Sequence, residues 1–153
     1  MPLEIGQPAP QFSLRSQHGE SVSLADHVGK KNVVLVFYPF AFSGVCTGEL
    51  CEIRDQITDF SDERTAILAI SCDPMHALRA FSERDGLEFP LLSDFWPHGA
   101  VSKAYDNFNE RLGCSGRATY VIDREGTLRW LVENKIPQAR NIDDYRKVLA
   151  ELG

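Results

Sequence analysis

The hydrophobic and polar positions of this chain follow two different periods, which predict its strands and its helices. Polar and apolar residues alternate over residues 11–14 and 21–24, on either side of a His-Gly-Glu turn, and this pattern predicts a short β-hairpin. Two continuous apolar runs, at residues 33–38 and 66–71, predict strands that are buried on both faces.

A period of three to four residues follows each buried run and predicts a helix. The first helix carries its apolar residues on one face. These residues are Cys46, Leu50, Ile53, Ile57 and Phe60. A second helix is predicted over residues 75–85, where Gly86 ends it. Residues 118–123 and 127–133 predict another hairpin, and Asn141 is the predicted N-cap of a last helix.

In chain order these elements are a hairpin, a strand, a helix, a strand, a helix, a hairpin and a helix. Two parallel strands that are joined by a helix require a right-handed crossover, and helices must then cover both faces of the sheet. The order predicts an α/β fold, a thioredoxin-like sandwich with a central mixed sheet, helices on both faces and an N-terminal β-hairpin. We expect residues 1–153 to form a single domain, since no linker or repeat interrupts the pattern.

The composition narrows the range of functions. The chain has 153 residues, of which 43% are hydrophobic and 25% charged, and its formal net charge is −6. This acidic balance disfavours nucleic acid and anionic membrane surfaces as partners. The first residues lack the basic and apolar regions of a signal peptide, and no apolar run approaches the roughly 20 residues that span a bilayer. Four cysteines without an export signal predict a cytoplasmic protein whose thiols stay reduced unless they do redox chemistry or bind metal.

A candidate nucleophile follows the first buried run. Residues 33–38 lead into Pro39, and the helix that comes next has Cys46 in its first turn. A thiol at this point lies beside unpaired backbone N–H groups and the positive end of the helix dipole, and both favour the thiolate. Because Cys46 shares the apolar helix face, we expect it to be partly shielded at the floor of a depression. Ser43 has two roles that stay open: its hydroxyl donates to a thiolate or a bound oxygen, or it caps the helix.

The spacing Pro39-x-x-x-Ser43-x-x-Cys46 resembles the active-site motif of the peroxiredoxins, with serine in place of the commoner threonine. That family also carries an arginine at the start of a later strand, which corresponds here to Arg117 before an Ala-Thr-Tyr-Val-Ile-Asp run. The resemblance covers nearly the whole chain, including its opening at residues 6–12. Three further segments are similar to the AhpE-type peroxiredoxins of actinobacteria. They are residues 39–42, 91–102 and 108–110.

The resemblance implies a thiol-dependent peroxidase that reduces hydrogen peroxide, organic hydroperoxides or both. Cys46 would attack the terminal peroxide oxygen and become a sulfenic acid. Arg117, the Ser43 hydroxyl and the Cys46 N–H would stabilise the charge on the leaving oxygen, and Pro39 would shield the product from over-oxidation. Glu49 would orient the arginine, although a carboxylate in a first helical turn is also favourable as a capping residue.

The resemblance also implies the partners of the reaction. The substrate is a peroxide, and the reductant is an external thiol: thioredoxin, a mycoredoxin-like protein or a low-molecular-weight thiol. A homodimer is expected because the family often forms dimers. No metal ion and no organic cofactor is implied, and the chain has neither the Cys-x-x-Cys nor the His-x-x-x-His pair that is typical of structural zinc sites.

The roles of the other three cysteines are less directly indicated. Five residues on one helix separate Cys46 and Cys51 by a rise of about 7.5 Å, and a disulfide tolerates roughly 7 Å between Cα atoms, so the first turns must unwind before the two can bond. This spacing resembles the PrxQ-like (bacterioferritin comigratory) peroxiredoxins, in which the helix unwinds, whereas AhpE-type members usually lack the second cysteine. Cys51 is a resolving thiol or a half-buried bystander. Cys72 is expected to be a small buried hydrophobe, and Cys114 a second resolving thiol or, more simply, a surface-loop cysteine.

Two other functions use the same thiol. A thiol–disulfide oxidoreductase of the same fold requires Cys-x-x-Cys at the helix start, and Glu49 occupies the position of the second cysteine, which disfavours this function. A one-cysteine redox sensor stays open as the other alternative.

Aromatic residues near the motif have two interpretations. They line an apolar pocket that favours organic hydroperoxides, or they fill the core. The residues are Phe40, Phe42, Phe95 and Trp96.

Overall fold

The computed structural model describes residues 3–55, 64–134 and 142–152. Within these ranges the strands are β1 (Ser13–Ser16), β2 (Ser21–Ser23), β3 (Asn32–Phe37), β4 (Thr65–Ser71), β5 (Leu91–Ser93), β6 (Phe108–Asn109), β7 (Cys114–Ser115), β8 (Arg117–Ile122) and β9 (Leu128–Asn134). The helices are α1 (Gly44–Asp55), α2 (Met75–Asp85), α3 (Ala100–Ala104) and α4 (Ile142–Leu152), and a 3-10 turn covers Leu24–Asp26. No helix in this described part combines the length and the apolar character that crossing a membrane requires.

The central sheet is mixed, as predicted. Among the described residues it contains seven strands in the order β2-β1-β5-β4-β3-β8-β9, and β6 pairs with β7 separately. The strands β3, β4 and β5 run parallel to one another. β1 is antiparallel to β5, β8 is antiparallel to β3, and β1 and β2 form the predicted N-terminal hairpin. The thioredoxin-like α/β fold is therefore confirmed.

The central strands bury both of their faces, which explains their continuously apolar sequences. One face of β3 carries Val34 and Val36 and packs in a cluster with side chains of α1, α2 and α4. The other face carries Leu35 and Phe37 and packs in a second cluster, which includes Tyr105 after α3 and part of the N-terminal segment. Each face of the sheet is covered, and Cys46 belongs to the first cluster.

The predicted helices are present in the described residues. α2 has the predicted bounds, and Gly86 ends it in the left-handed region with a φ of 63°. In α1, Cys46, Leu50 and Ile53 are buried on the predicted face. Three other predicted positions lie outside the described residues: Ile57, Phe60 and Asn141.

The sequence prediction lacks β5, α3 and the β6–β7 ribbon. β5 has three residues, too few to show a period, and it forms because β4 and β1 pair with its two edges. α3 is held by the buried Asp94 carboxylate, which accepts hydrogen bonds from the backbone N–H groups of Val101 (3.1 Å) and Ser102 (2.8 Å). These short elements determine the path of the chain between β5 and β8.

Candidate active site

The chain turns from β3 into α1 at the carboxyl end of the strand, where open α/β sheets bind their ligands. Pro39 is buried in this turn, and Phe42 adopts a left-handed φ of 69°. Ser43 precedes the helix, and its Oγ accepts a hydrogen bond from the backbone N–H of Cys46 at 3.4 Å. This is helix-capping geometry, but an accepting hydroxyl keeps its own proton to donate elsewhere. The two roles that the sequence left open for Ser43 are therefore compatible.

The sulfur of Cys46 faces a buried arginine. The Nη2 group of Arg117 donates to Cys46 Sγ at 3.4 Å, while Nη1 of the same guanidinium donates to Glu49 Oε1. Cys46 is fully buried, and Arg117 and Glu49 are only 3% and 4% exposed. Since a guanidinium remains cationic at any ordinary pH, it presents a permanent positive charge to the sulfur in a region of low dielectric. Burial of Cys46 is more complete than the partial shielding predicted from the sequence.

The register of the sheet brings these residues together. β8 lies antiparallel beside β3, with Ala118 opposite Phe37, so Arg117 lies next to the strand end from which the Cys46 turn departs. Glu49 projects from α1 one turn after Cys46 and meets the same guanidinium. The arginine therefore bridges a thiol and a carboxylate that come from one helix.

Sequence reasoning missed Asp73, which holds the turn in place. Its Oδ2 accepts hydrogen bonds from the Ala41 backbone N–H at 2.8 Å and from the Ser71 hydroxyl at 2.7 Å. The backbone carbonyl of Asp73 also accepts the Ser93 hydroxyl at 2.6 Å. The sequence does contain a signal that points to Asp73: it follows the buried strand β4, whose carboxyl end lies at the same edge of the sheet as Cys46.

The other cysteines lie in different environments. Cys51 is half-buried on the flank of α1. Cys72 is buried, as expected, with its sulfur 3.5 Å from Ser115 Oγ, and burial raises the pKa of its thiol. Cys114 is fully buried in β7, so the expectation of a surface-loop cysteine is wrong. Burial raises the pKa of Cys114 to about 11, which leaves both buried thiols protonated and weakly nucleophilic near neutral pH.

The aromatic residues near the motif do not fill the core. Phe40, Phe42 and Phe95 are 41–46% exposed, and Trp96 is 83% exposed. Phe95 and Trp96 line an open surface groove of about 520 Å³ whose lining includes neither Cys46 nor Arg117. The core-filling interpretation is therefore wrong, and neither Cys46 nor Arg117 lines the groove to which Phe95 and Trp96 belong.

The described residues contain no group of three or more His, Cys, Asp or Glu side chains that is arranged to hold a metal ion. The site consists of a thiol at a helix N-terminus, a hydroxyl and a guanidinium that is fixed by a carboxylate. Such a site can activate sulfur as a nucleophile and can bind oxygen atoms that gain negative charge.

Comparisons with known proteins identify this arrangement. The AhpC/TSA family matches residues 5–131. Alkyl hydroperoxide reductase E of Mycobacterium tuberculosis is 44% identical over 150 residues, covering 98% of both chains. Peroxiredoxin Bcp of Bacillus subtilis is 37% identical over 134 residues, covering 84% of this chain and 83% of that protein. The solved structure of peroxidoxin BcpB from M. tuberculosis has a TM-score of 0.88 and 28% identity, covering 99% of each chain.

The chain belongs to the AhpC/TSA family and is a peroxiredoxin, a thiol-dependent peroxidase. The family resemblance that was based on the Pro-x-x-x-Ser-x-x-Cys motif and the later arginine is confirmed. Relatives named as alkyl hydroperoxide reductase E and as peroxiredoxin Bcp both appear, which matches the two kinds of similarity seen in the sequence.

Proposed function

We propose that Cys46 is the peroxidatic cysteine and that Arg117, Ser43 and Pro39 form its pocket. The thiolate attacks the terminal oxygen of ROOH; the O–O bond breaks, the sulfur becomes a sulfenic acid, and the leaving RO⁻ takes up a proton to give ROH. The observation that carries this proposal is the 3.4 Å contact between Arg117 Nη2 and Cys46 Sγ inside a buried site. R is hydrogen or an organic group, so the substrate is hydrogen peroxide, an organic hydroperoxide or both.

The transition state transfers negative charge from the sulfur to the leaving oxygen. Arg117 is beside the sulfur before reaction and can donate to the peroxide oxygens as the charge moves. The Ser43 hydroxyl accepts a hydrogen bond from the Cys46 N–H and can donate one of its own to the leaving oxygen, so hydroxyl and amide act as one unit. Each well-placed donor in such a site is worth about 3–4 kcal/mol of transition-state stabilisation. Glu49 acts indirectly, by fixing the orientation of the guanidinium.

We propose that Cys51 resolves the sulfenic acid. The thiol of Cys51 attacks the Cys46 sulfur, forms the disulfide and releases water. What supports this choice over Cys72 or Cys114 is chemical: burial raises the pKa of both of those thiols, whereas Cys51 is half-buried on α1 itself. α1 must open for the bond to form, because an intact helix holds the two Cα atoms too far apart.

The rest of the cycle uses an external thiol reductant, which reduces either the Cys46–Cys51 disulfide or the sulfenic acid directly. Thioredoxin, a mycoredoxin-like protein and a low-molecular-weight thiol are the candidates, and we propose that the cycle runs in the cytoplasm. The four cysteines, which a reducing compartment keeps available for redox chemistry, support that location.

We propose a homodimer as the working assembly. Its support is the exposure of Trp96 (83%) and Phe95 (46%), since large aromatic side chains that are exposed together are typical of protein interfaces. Sedimentation of the wild type should give twice the chain mass, and Trp96→Arg should give the monomer. Ile5→Arg is the matched control, because Ile5 is also an exposed apolar residue (58%) but lies in another segment. A wild type that sediments as a monomer rejects this part of the proposal.

The chemical roles are tested by stopped-flow fluorescence and intact mass. Peroxide should produce a fast second-order fluorescence change in the wild type and in Cys114→Ser, and none in Cys46→Ser. One equivalent of peroxide should remove two hydrogens from the wild type and add one oxygen to Cys51→Ser. A fast signal that survives in Cys46→Ser rejects Cys46 as the nucleophile. Addition of one oxygen to the wild type as well rejects Cys51 as the resolving thiol.

A further inference from the structure

The C-terminal end of α2 makes hydrogen bonds to residues near both ends of α1. At the start of α1, Arg84 Nη2 donates to Thr47 Oγ1 at 3.4 Å. At the far end, Arg54 Nη1 donates to the backbone carbonyl of Asp85. The last turn of α2 therefore spans the length of the helix that carries both Cys46 and Cys51.

Arg84 also fixes the residue that precedes the Ser43 cap. Its guanidinium carbon lies 4.7 Å from the centre of the Phe42 ring, and that ring packs against Phe81 of α2 with the centres 5.1 Å apart. Phe42 holds a φ of 69°, a left-handed conformation that costs free energy in a residue other than glycine. The contacts with Phe81 and Arg84 offset this cost and keep the turn into α1 in its observed form.

The contacts of Thr47 with Arg84 and of Arg54 with Asp85 form a seam between α1 and α2, and Cys51 lies between them along α1. Thr47, Cys51 and Arg54 follow one another at spacings of four and three, so they form one stripe along α1. The stripe faces the end of α2, because Thr47 contacts Arg84 and Arg54 contacts Asp85. Thr47 lies between the two cysteines, so unwinding α1 far enough to bring Cys51 to Cys46 must break the contact between Thr47 and Arg84.

We propose that Arg84 is a positioning residue that holds α1 closed while Cys46 reacts and thereby sets the rate at which Cys51 reaches the sulfenic acid. This inference rests on the proposed roles of Cys46 and Cys51. In the closed state Cys46 keeps its contact with Arg117 and reacts with peroxide. In the opened state the Cys46 sulfenic acid and the Cys51 thiol form a disulfide and release water.

The opening rate has a chemical consequence, because the sulfenic acid has a second possible fate. A second peroxide molecule can transfer an oxygen to it, which gives the sulfinic acid and an alcohol or water. Slower opening therefore leaves more time for this irreversible oxidation. Arg84 affects the division of the sulfenic acid between the disulfide and the sulfinic acid.

Arg84→Ala is the direct test, since it removes the contacts with Phe42 and Thr47 together. It also removes the ion pair between Arg84 Nη2 and Asp85 Oδ2 at 2.7 Å, for which the Arg79→Ala control allows. The loss of one exposed cation–π contact predicts disulfide formation about fivefold faster than in the wild type. Arg84→Lys keeps a cation above the Phe42 ring and should restore most of the wild-type rate. Arg79→Ala is the matched control: Arg79 lies on the same helix and makes an exposed ion pair, but with Glu83 at 3.3 Å.

Three measurements are made on the full-length reduced chain. Stopped-flow fluorescence gives the peroxide-dependent rate of Cys46 oxidation, quenched samples analysed by intact mass give the later loss of two hydrogens, and hydrogen exchange reports opening at the amides of residues 44–51. In Arg84→Ala we expect an unchanged first rate, a faster second step, faster exchange and less sulfinic acid at high peroxide. Arg79→Ala should match the wild type in all four.

Each other outcome overturns the inference and shows which of its premises is wrong. If Arg84→Ala and the wild type form the disulfide at the same rate, the seam does not control opening. If Arg79→Ala is accelerated as much as Arg84→Ala, the effect comes from general destabilisation of α2. If the wild type never loses two hydrogens, the proposed role of Cys51 is wrong, and this inference is rejected with it. A change only in the first rate would assign Arg84 to the reaction of Cys46 with peroxide instead.

Discussion

Removing the carboxylate of Glu49 tests the buried ion pair at the centre of the site. Both partners are at most 4% exposed, so solvent screening is weak and Arg117 would be left as a buried charge without this partner. Breaking such a pair from one side costs about 3–5 kcal/mol. For a chain of this size we therefore expect Glu49→Ala to lower the Tm by about 10 °C. Glu49→Gln keeps an acceptor oxygen and should lose about 1–2 kcal/mol, since only the charge of the acceptor is removed.

Glu49→Gln should also slow the reaction of Cys46, because a neutral acceptor holds the guanidinium less firmly in the orientation that aims Nη2 at the sulfur. We expect the second-order rate constant with peroxide to fall about tenfold in Glu49→Gln, which corresponds to about 1.4 kcal/mol of the stabilisation that Arg117 supplies. Urea denaturation and stopped-flow fluorescence measure the two effects. The double variant Glu49→Leu/Arg117→Met provides the control, because replacing both partners with apolar groups should be less destabilising than either single change.

Two results would refute this reasoning. If the losses of stability in the single variants Glu49→Leu and Arg117→Met simply add in the double variant, Glu49 and Arg117 do not act as a pair. If Glu49→Gln oxidises at the wild-type rate, the carboxylate does not orient the arginine, and its role is structural alone.

Three further predictions concern neighbouring groups. Ser43→Ala should lose about 1 kcal/mol of stability as a helix cap, and the loss of a donor should slow sulfur oxidation by about two to three orders of magnitude. Ser43→Thr should keep both properties; urea denaturation measures the stability and stopped-flow fluorescence the rate. With Cys46 replaced by serine, iodoacetamide near neutral pH should modify Cys51 in the folded protein, and peptide mapping should find Cys72 and Cys114 modified only after unfolding. Burial raises the pKa of Asp94 above its ordinary 3.8, so the stability that this proton contributes is complete below that value and is lost as the pH rises through the raised pKa. The free energy of unfolding of the wild type should therefore fall relative to Asp94→Asn as the pH rises above about 4, and an unchanged difference would contradict the sign.

The elements that were predicted correctly are those whose signal is local and long. The strand at residues 33–38 and α2 with its terminal Gly86 each contain enough residues to show a period or an end signal. β5 has only three residues, and partners from distant parts of the chain define it. The burial of Cys114 likewise depends on distant parts of the chain. Its Gly- and Ser-rich segment is typical of an exposed loop, but β7 packs beside β4, and the Cys72 sulfur contacts Ser115 there.

The amino-acid sequence alone determined which sulfur is the nucleophile candidate, because the features that distinguish Cys46 are close together in the chain. These features are a buried strand, a proline, a serine cap and a helix N-terminus. The three-dimensional fold decided what faces that sulfur. Arg117 is 71 positions further on and reaches Cys46 only through the pairing of β8 with β3. Tertiary packing likewise decides that α2 is the helix that contacts α1. Helix caps and dipoles act within a turn or two of backbone, whereas strand register and helix packing depend on how the whole chain buries its apolar faces.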